Sequence, residues 1–271
     1  MKTILFQALL LLVLLQTAIA QTNEQVYSQI VRVAFGSGHI SLKDPVFSPL
    51  VYRGSGSIVE LGYQNYRAHR KHELMFNFSS SELTPTLNGF SQSRNENTNL
   101  VLNYQFQKPL KNIDESWFVG VGFNNFISVR ELIISGNSEI GWDIFSSLNL
   151  VSSYDLIFNT KHSIQFTIGI PIISYVVGRM RIPKDFPERA LQQFLEDDDA
   201  SPVGAILTSG DFLPLGEFFD LTSEINYRLR MSQRLGFAAT YRFRYYSYRK
   251  FRQVQYGTSQ YIFGFTYQFG K

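Results

Sequence analysis

Apolar and polar residues alternate through most of this chain. Near its C-terminal end Tyr261, Phe263, Phe265, Tyr267 and Phe269 share one face, opposite Gln260, Thr266 and Gln268. A period of two puts successive side chains on opposite faces of a strand, so this segment is predicted to be a half-apolar β-strand. Upstream, Leu235, Phe237, Ala239, Tyr241, Phe243 and Tyr245 oppose Gly236, Ala238, Thr240, Arg242 and Arg244. Before them, Phe219, Leu221, Ile225, Tyr227 and Leu229 oppose Asp220, Thr222, Glu224, Asn226 and Arg228. Further segments of this kind run over Ile164–Ile172, Ile140–Leu150, Trp117–Phe123, Leu100–Phe106, Leu74–Phe78 and Val59–Tyr63. A weaker one lies around Gln25–Phe35, where Val31, Val33 and Phe35 oppose Arg32 and Ala34. Phe145 and Val151 fall on the polar side of their segment. The pattern predicts about ten strands, each near the length a tilted membrane strand needs.

Energetics assign the faces. An Arg turned toward lipid near the bilayer midplane costs roughly 2–4 kcal/mol. Arg228, Arg242 and Arg244 all lie on the polar face, so that face is predicted to be the interior. Phe219, Phe237, Tyr241, Phe263, Phe265, Tyr267 and Phe269 are then lipid-facing. The expected fold is all-β, a transmembrane up-and-down antiparallel barrel. The competing reading is a soluble barrel with its aromatics inside. Inner faces of small soluble barrels need bulky mixed packing, whereas here the rings cluster near strand ends, where aromatic girdles lie.

The N-terminus fits an exported chain. Met1-Lys2, an apolar run from Ile4 to Leu15 and Thr17-Ala18-Ile19-Ala20 describe a signal peptide over residues 1–20, cleaved after Ala20. Residues 21–271 then form one barrel domain. A spanning helix needs about twenty apolar residues, and Gln7 and Gln16 interrupt this run. With both termini on the periplasmic side, connections alternate between short inner turns and longer outer loops. The predicted turns are Ala68–Lys71, Pro109–Glu115, Asp155–Lys161 and Met231–Arg234. The predicted loops are Gly36–Gly54, Ser80–Asn95, Val129–Ser138, Gly178–Gly216 and Arg249–Gln253.

Composition removes several function classes. The count of Cys is 0, so disulfides and thiolate metal sites are excluded. Loss of Lys2 with the signal lowers the formal charge from +3 to +2, too small a balance to argue for nucleic acid. No cofactor or metal pattern stands out.

The candidate interior set is Arg32, Glu60, Glu73, Asp143, Asp220, Glu224, Arg228, Arg242 and Arg244. Both charge signs crowd a narrow lumen, and buried charges need partners, so a salt-bridged plug is expected. A selectivity lining for a small solute is the alternative. The Gly178–Gly216 loop holds Pro183, Pro187, Pro202 and Pro214. Between them Glu188–Glu196 reads as a short helix with Ala190, Leu191, Phe194 and Leu195 on one side. The acidic run Glu196-Asp197-Asp198-Asp199 lacks the alternating spacing of a calcium loop. In the first outer loop His39 with Asp44 and a serine has the residue types of a nucleophile system, but no enforcing spacing. His69, His72 and His162 map to the periplasmic side beside Arg70, Lys71 and Lys161, where lipid phosphates are the expected contacts.

The signal peptide, the alternating aromatic strands and the C-terminal aromatic strand make the chain resemble the bacterial outer-membrane β-barrel proteins, over essentially the whole mature length. The resemblance implies residence in a Gram-negative outer membrane, with its lipids as partners and other envelope proteins as candidates. Where that family ends on an aromatic residue, Phe269 here is followed by Gly270-Lys271. The strand count is similar to that of the omptin surface proteases, whose acidic and histidine pairs find no match. The outer-membrane phospholipase and lipid A deacylase families carry a His-x-Ser-Asn element on a strand, of which His39-Ile40-Ser41-Leu42 shares only the first part. Two function classes stay open. One is a non-enzymatic barrel, either a scaffold or accessory subunit of an envelope complex or a narrow conduit, presenting the 178–216 loop. The other is a surface-facing hydrolase acting on lipid or peptide.

Overall fold

Alternating residues fix strands, and strands with unpaired edges must find partners. In this computed structural model, which describes residues 28–45, 48–67, 70–87, 93–110, 114–134, 137–177, 181–183, 210–248 and 253–269, they do so by closing on themselves. The elements are β1 (Ser28–Asp44), β2 (Ser48–Arg67), β3 (Arg70–Pro85), β4 (Ser93–Leu110), β5 (Asp114–Ile134), β6 (Asn137–Ile157), β7 (His162–Val177), β8 (Arg181–Pro183), β9 (Asp211–Pro214), β10 (Phe218–Arg230), β11 (Leu235–Tyr248) and β12 (Val254–Phe269). The ten long strands form a closed antiparallel barrel. Closure runs through β1 and β12, paired from Gln29↔Phe269 to Lys43↔Gln255. The short β8 continues the wall beside β6, and β9 does so beside β7.

Ser28, Phe269 and the connections 158–161 and 231–234 share one end of the barrel, here the turn end. The opposite loop end carries the connections after β1, β3, β5, β7 and β11. The strands reach further toward the loop end than the alternation predicts. Residues expected in the loops Gly36–Gly54, Ser80–Asn95 and Val129–Ser138 are largely strand, and the Gly178–Gly216 segment contributes β8 and β9. His39 therefore sits in β1 rather than in a loop. The helix expected over Glu188–Glu196 and the signal peptide lie outside the described residues, among which there is no helix.

The stretches missed on β1, β2 and β3 share a physical cause, because the sense of the alternation inverts along those strands. Toward the turn end the exterior is apolar and the interior polar: on β1, Val31, Val33 and Phe35 face out and Arg32 faces in. Toward the loop end the same strand turns Ser37, His39, Ser41 and Lys43 outward and buries Ile40 and Leu42. Likewise β2 passes from outward Leu61 and Val59 to outward Ser57, Ser55 and Arg53, and β3 from Phe76 and Phe78 to Ser80 and Glu82. On β1 to β3 the wall thus carries a membrane-like pattern below and a soluble-like pattern above, and the apolar core of the molecule sits inside the upper half.

Two irregularities adjust the wall. On β7, Asn149 pairs with Pro171 and Leu148 with Ile173, so Ile172 is an inserted residue; Ile172 and Ile173 both face out, and Ser174 and Val176 then turn inward. Such a bulge suits a proline that has no N–H for the ladder. On β1, Gly36 faces inward where a Cβ would strike the Tyr261 carbonyl of β12, so only glycine allows that approach.

Candidate functional site: the barrel lumen

Inward residues of every long strand converge on the lumen, where they form three tiers. In the lowest tier, Glu60 of β2 is fully buried and receives two guanidinium groups. Arg32 pairs with its Oε1, and Arg242 Nη1 lies 2.7 Å from its Oε2. Arg242 also bonds Glu224 through Nε at 2.8 Å and Nη2 at 2.7 Å. Arg32 Nη1 donates to Thr240 Oγ1 at 3.1 Å, and Asn77 Nδ2 to Glu60 Oε2 at 3.4 Å. Lower still, Arg228 donates to Tyr66 Oη at 3.0 Å and Gln165 Oε1 at 2.9 Å. Glu73 faces a small space shared with Arg32 and Arg228.

The middle tier is a fork. Arg244 grips Asp220 with Nε at 3.0 Å from Oδ1 and Nη2 at 2.8 Å from Oδ2, and Asn124 donates to Oδ2 at 3.3 Å. The same guanidinium lies 4.5 Å from the Phe126 ring centre and 5.2 Å from that of Phe145. Two-point charge pairing plus ring contact holds this arginine in one orientation.

The upper tier contains a cation that the sequence reading missed. Arg130 of β5 pairs with Asp143 and, at 3.1 Å, with Asp44, while Tyr248 Oη donates to Asp143 Oδ1 at 2.6 Å. Arg130 shares the inward parity of Asn124 three positions down the same face, so extending that parity was the available signal. Around this tier pack Phe126, Phe145, Phe218, Tyr246, Tyr256 and their neighbours. Phe126 stacks on Phe145 at 4.7 Å, and Tyr246 on Tyr256 at 4.8 Å. Phe145, at odds with its polar neighbours in sequence, is thus a member of the interior cluster.

Between the tiers lies a cavity of about 60 Å³, lined by Asn99, Asn103, Asn124 and Asn149, among others. The side-chain oxygens of these four asparagines have no protein donor, and a space of this size takes a few hydrogen-bonded waters. The lumen is therefore a polar middle between paired charges, closed toward the loop end by a lid of aromatic rings and the Arg130 ion pairs.

The candidate nucleophile grouping is not assembled. His39 faces out between Ser55 of β2 and Ser259 of β12, whereas Asp44 faces in toward Arg130. The remaining described histidines pair with tyrosines on the outer wall at the turn end: His72 Nδ1 lies 2.9 Å from Tyr104 Oη, and His162 Nδ1 lies 2.7 Å from Tyr227 Oη. Aromatic residues of the exterior pack in neighbouring pairs. Tyr241 packs on Tyr261 at 5.2 Å, Phe237 on Phe265 at 6.1 Å, Tyr267 on Phe269 at 4.6 Å and Phe219 on Tyr245 at 6.2 Å.

This architecture is that of the bacterial outer-membrane β-barrels. No family model matches the chain, and no curated protein matches it. Among solved structures, the outer-membrane protease OmpT of Escherichia coli superposes with a TM-score of 0.53 at 5% identity, covering 92% of this chain and 98% of that one. The translocator domain of the autotransporter NalP from Neisseria meningitidis superposes with a TM-score of 0.51 at 7% identity, covering 94% and 92%. At these identities the likeness concerns the fold.

Proposed function

We propose that this protein is an integral outer-membrane β-barrel, exported through a signal peptide cleaved after Ala20, with a sealed lumen and a non-enzymatic role as a scaffold or accessory subunit of an envelope complex. The carrying observation is the pairing of an apolar exterior belt with an interior closed by ion pairs and rings. Phe35, Phe263 and Phe265 are 62%, 54% and 66% exposed, a belt that water would penalise and lipid satisfies. Inside, Glu60, Arg130, Asp143 and Asp220 are buried and partnered, which supports a plug over a conduit. Function then falls to the loop end, where the 178–216 segment supplies the longest connection.

The outward His39 and inward Asp44 give a hydrolase no general-base pair, so the protease activity named for OmpT is not extended to this chain. The test is purification in mild detergent of the intact chain and of a variant lacking Lys184 to Pro202. We expect the intact protein to fractionate with outer membranes, resist alkaline extraction and carry a stable partner. The deletion variant should keep heat-modifiable migration and lose that partner. Recovery of the intact chain as a soluble monomer without detergent would overturn the membrane reading; a partner-free deletion phenotype identical to wild type in the producing cell would overturn the scaffold reading.

A further inference from the structure

At the turn end two neighbouring connections are built alike. In 158–161 the Asn159 side-chain oxygen accepts from the N–H groups of Lys161 at 2.8 Å and His162 at 2.9 Å. In 231–234 the Ser232 hydroxyl accepts from the N–H groups of Arg234 at 3.3 Å and Leu235 at 3.0 Å. Both turns close through the same backbone bonds, Phe158 N–H to His162 C=O at 3.1 Å and Met231 N–H to Leu235 C=O at 2.9 Å. Because β7 pairs with β10, the turns lie side by side, tied by a bond of 2.7 Å from Arg230 N–H to Lys161 C=O. Each turn therefore presents a cation, Lys161 or Arg234, from a fixed backbone, and Arg230 stands between them.

These three cations, with Arg228 of the lowest tier behind them, line one pocket of about 290 Å³ at the turn-end mouth of the lumen, and its lining includes no carboxylate. All three are exposed, and none carries an ion pair among the described residues. That sets them apart from the lumen arginines, each of which is partnered. At the rim beside the pocket Phe158, Met231 and Leu235 are 58%, 60% and 52% exposed, and Leu235, in register with Tyr267, faces the outer wall. A basic mouth whose rim turns an apolar face outward matches a molecule with an anionic head and apolar tails.

We propose that this cleft binds the phosphodiester headgroup of an anionic glycerophospholipid, with the acyl chains passing over the rim onto the wall at Phe158 and Leu235. This rests on the membrane reading above and adds to it a specific lipid site. Free phosphate shares the headgroup chemistry but has no use for the apolar wall. Two closed turns fix the backbone that carries the cations, so only their side-chain rotamers are left to order when the headgroup arrives.

The test uses the full mature chain folded in an uncharged maltoside detergent, titrated calorimetrically with short-chain phosphatidylglycerol. Heat-modifiable migration, checked before any lipid is added, reports the membrane reading separately; a wild-type chain that fails there sinks both. Given a folded barrel, we expect saturable binding that weakens about fivefold for each cation removed in Lys161→Ala, Arg234→Ala and the double variant. Lys161→Arg should retain wild-type affinity. Inorganic phosphate should bind at least about tenfold more weakly than the lipid. A folded double variant with unchanged affinity overturns the site. Equal binding of phosphatidylcholine, or of inorganic phosphate, overturns the assignment to an anionic lipid.

Discussion

The Arg242 guanidinium and the Glu60 carboxylate meet at 2.7 Å although 182 positions separate them, joining β11 to β2 past the intervening β12 and β1. Both are buried, and each has further partners in Glu224 and Arg32. Removing one member of such a group leaves a charge stranded in a low-dielectric interior. We expect Glu60→Ala to destabilise the folded barrel by about 3–5 kcal/mol, read as the shift in urea midpoint on refolding in detergent. An unchanged midpoint would mean that water, and not these partners, solvates the arginines.

The inversion of facing gives a positional test that the absence of cysteine makes clean, since the count of Cys in the chain is 0. Along the outer face of β2 the expected boundary falls between Val59 and Ser57. Ser55→Cys and Ser57→Cys should react with a membrane-impermeant maleimide on intact cells, whereas Val59→Cys and Leu61→Cys should stay protected until the membrane is dissolved. Uniform labelling of all four would remove the belt.

The same boundary should appear in folding energetics. Phe35→Arg places a guanidinium in the belt, and Ser37→Arg places one two residues beyond it on the same face. A cost of roughly 2–4 kcal/mol is expected for the first and about 0–1 for the second. Equal costs would show that the apolar exterior continues upward.

Conduction depends on the lid. In planar bilayers the unmodified protein should pass little or no steady current, because Phe126, Phe145, Phe218 and Tyr246 fill the lumen between the Arg244–Asp220 fork and the Arg130 ion pairs. Phe145→Ala, a fully buried ring, should lower stability by about 3–5 kcal/mol. A large, ion-selective conductance in the unmodified protein would replace the sealed scaffold with a channel.

The lower half of the barrel was legible in the sequence because its apolar face is dense and unbroken, as in Tyr261 to Phe269. Arg242, Arg244 and Glu224 could be assigned to one face from parity alone. The upper half was not legible, since Gly36, Gly38, Gly54, Gly56 and the Asp44-Pro45 pair read as punctuation, while Ile40 and Leu42 carried an inverted and sparser signal. Pairing was equally hidden. Parity places Glu60 and Arg242 indoors, but only the register around the closed sheet brings them together, and only strand continuation past Asn124 brings Arg130 to Asp143.

The strand wall that rises above the belt has one more consequence. His39 stands in register with Ser55 on one side and Ser259 on the other, so a patch of this exterior draws on three distant stretches of chain. An antibody or phage that grips the wall there reads a discontinuous epitope. Synthetic peptides cannot reproduce it, boiling erases it, and escape substitutions would scatter along the gene instead of clustering in one variable loop.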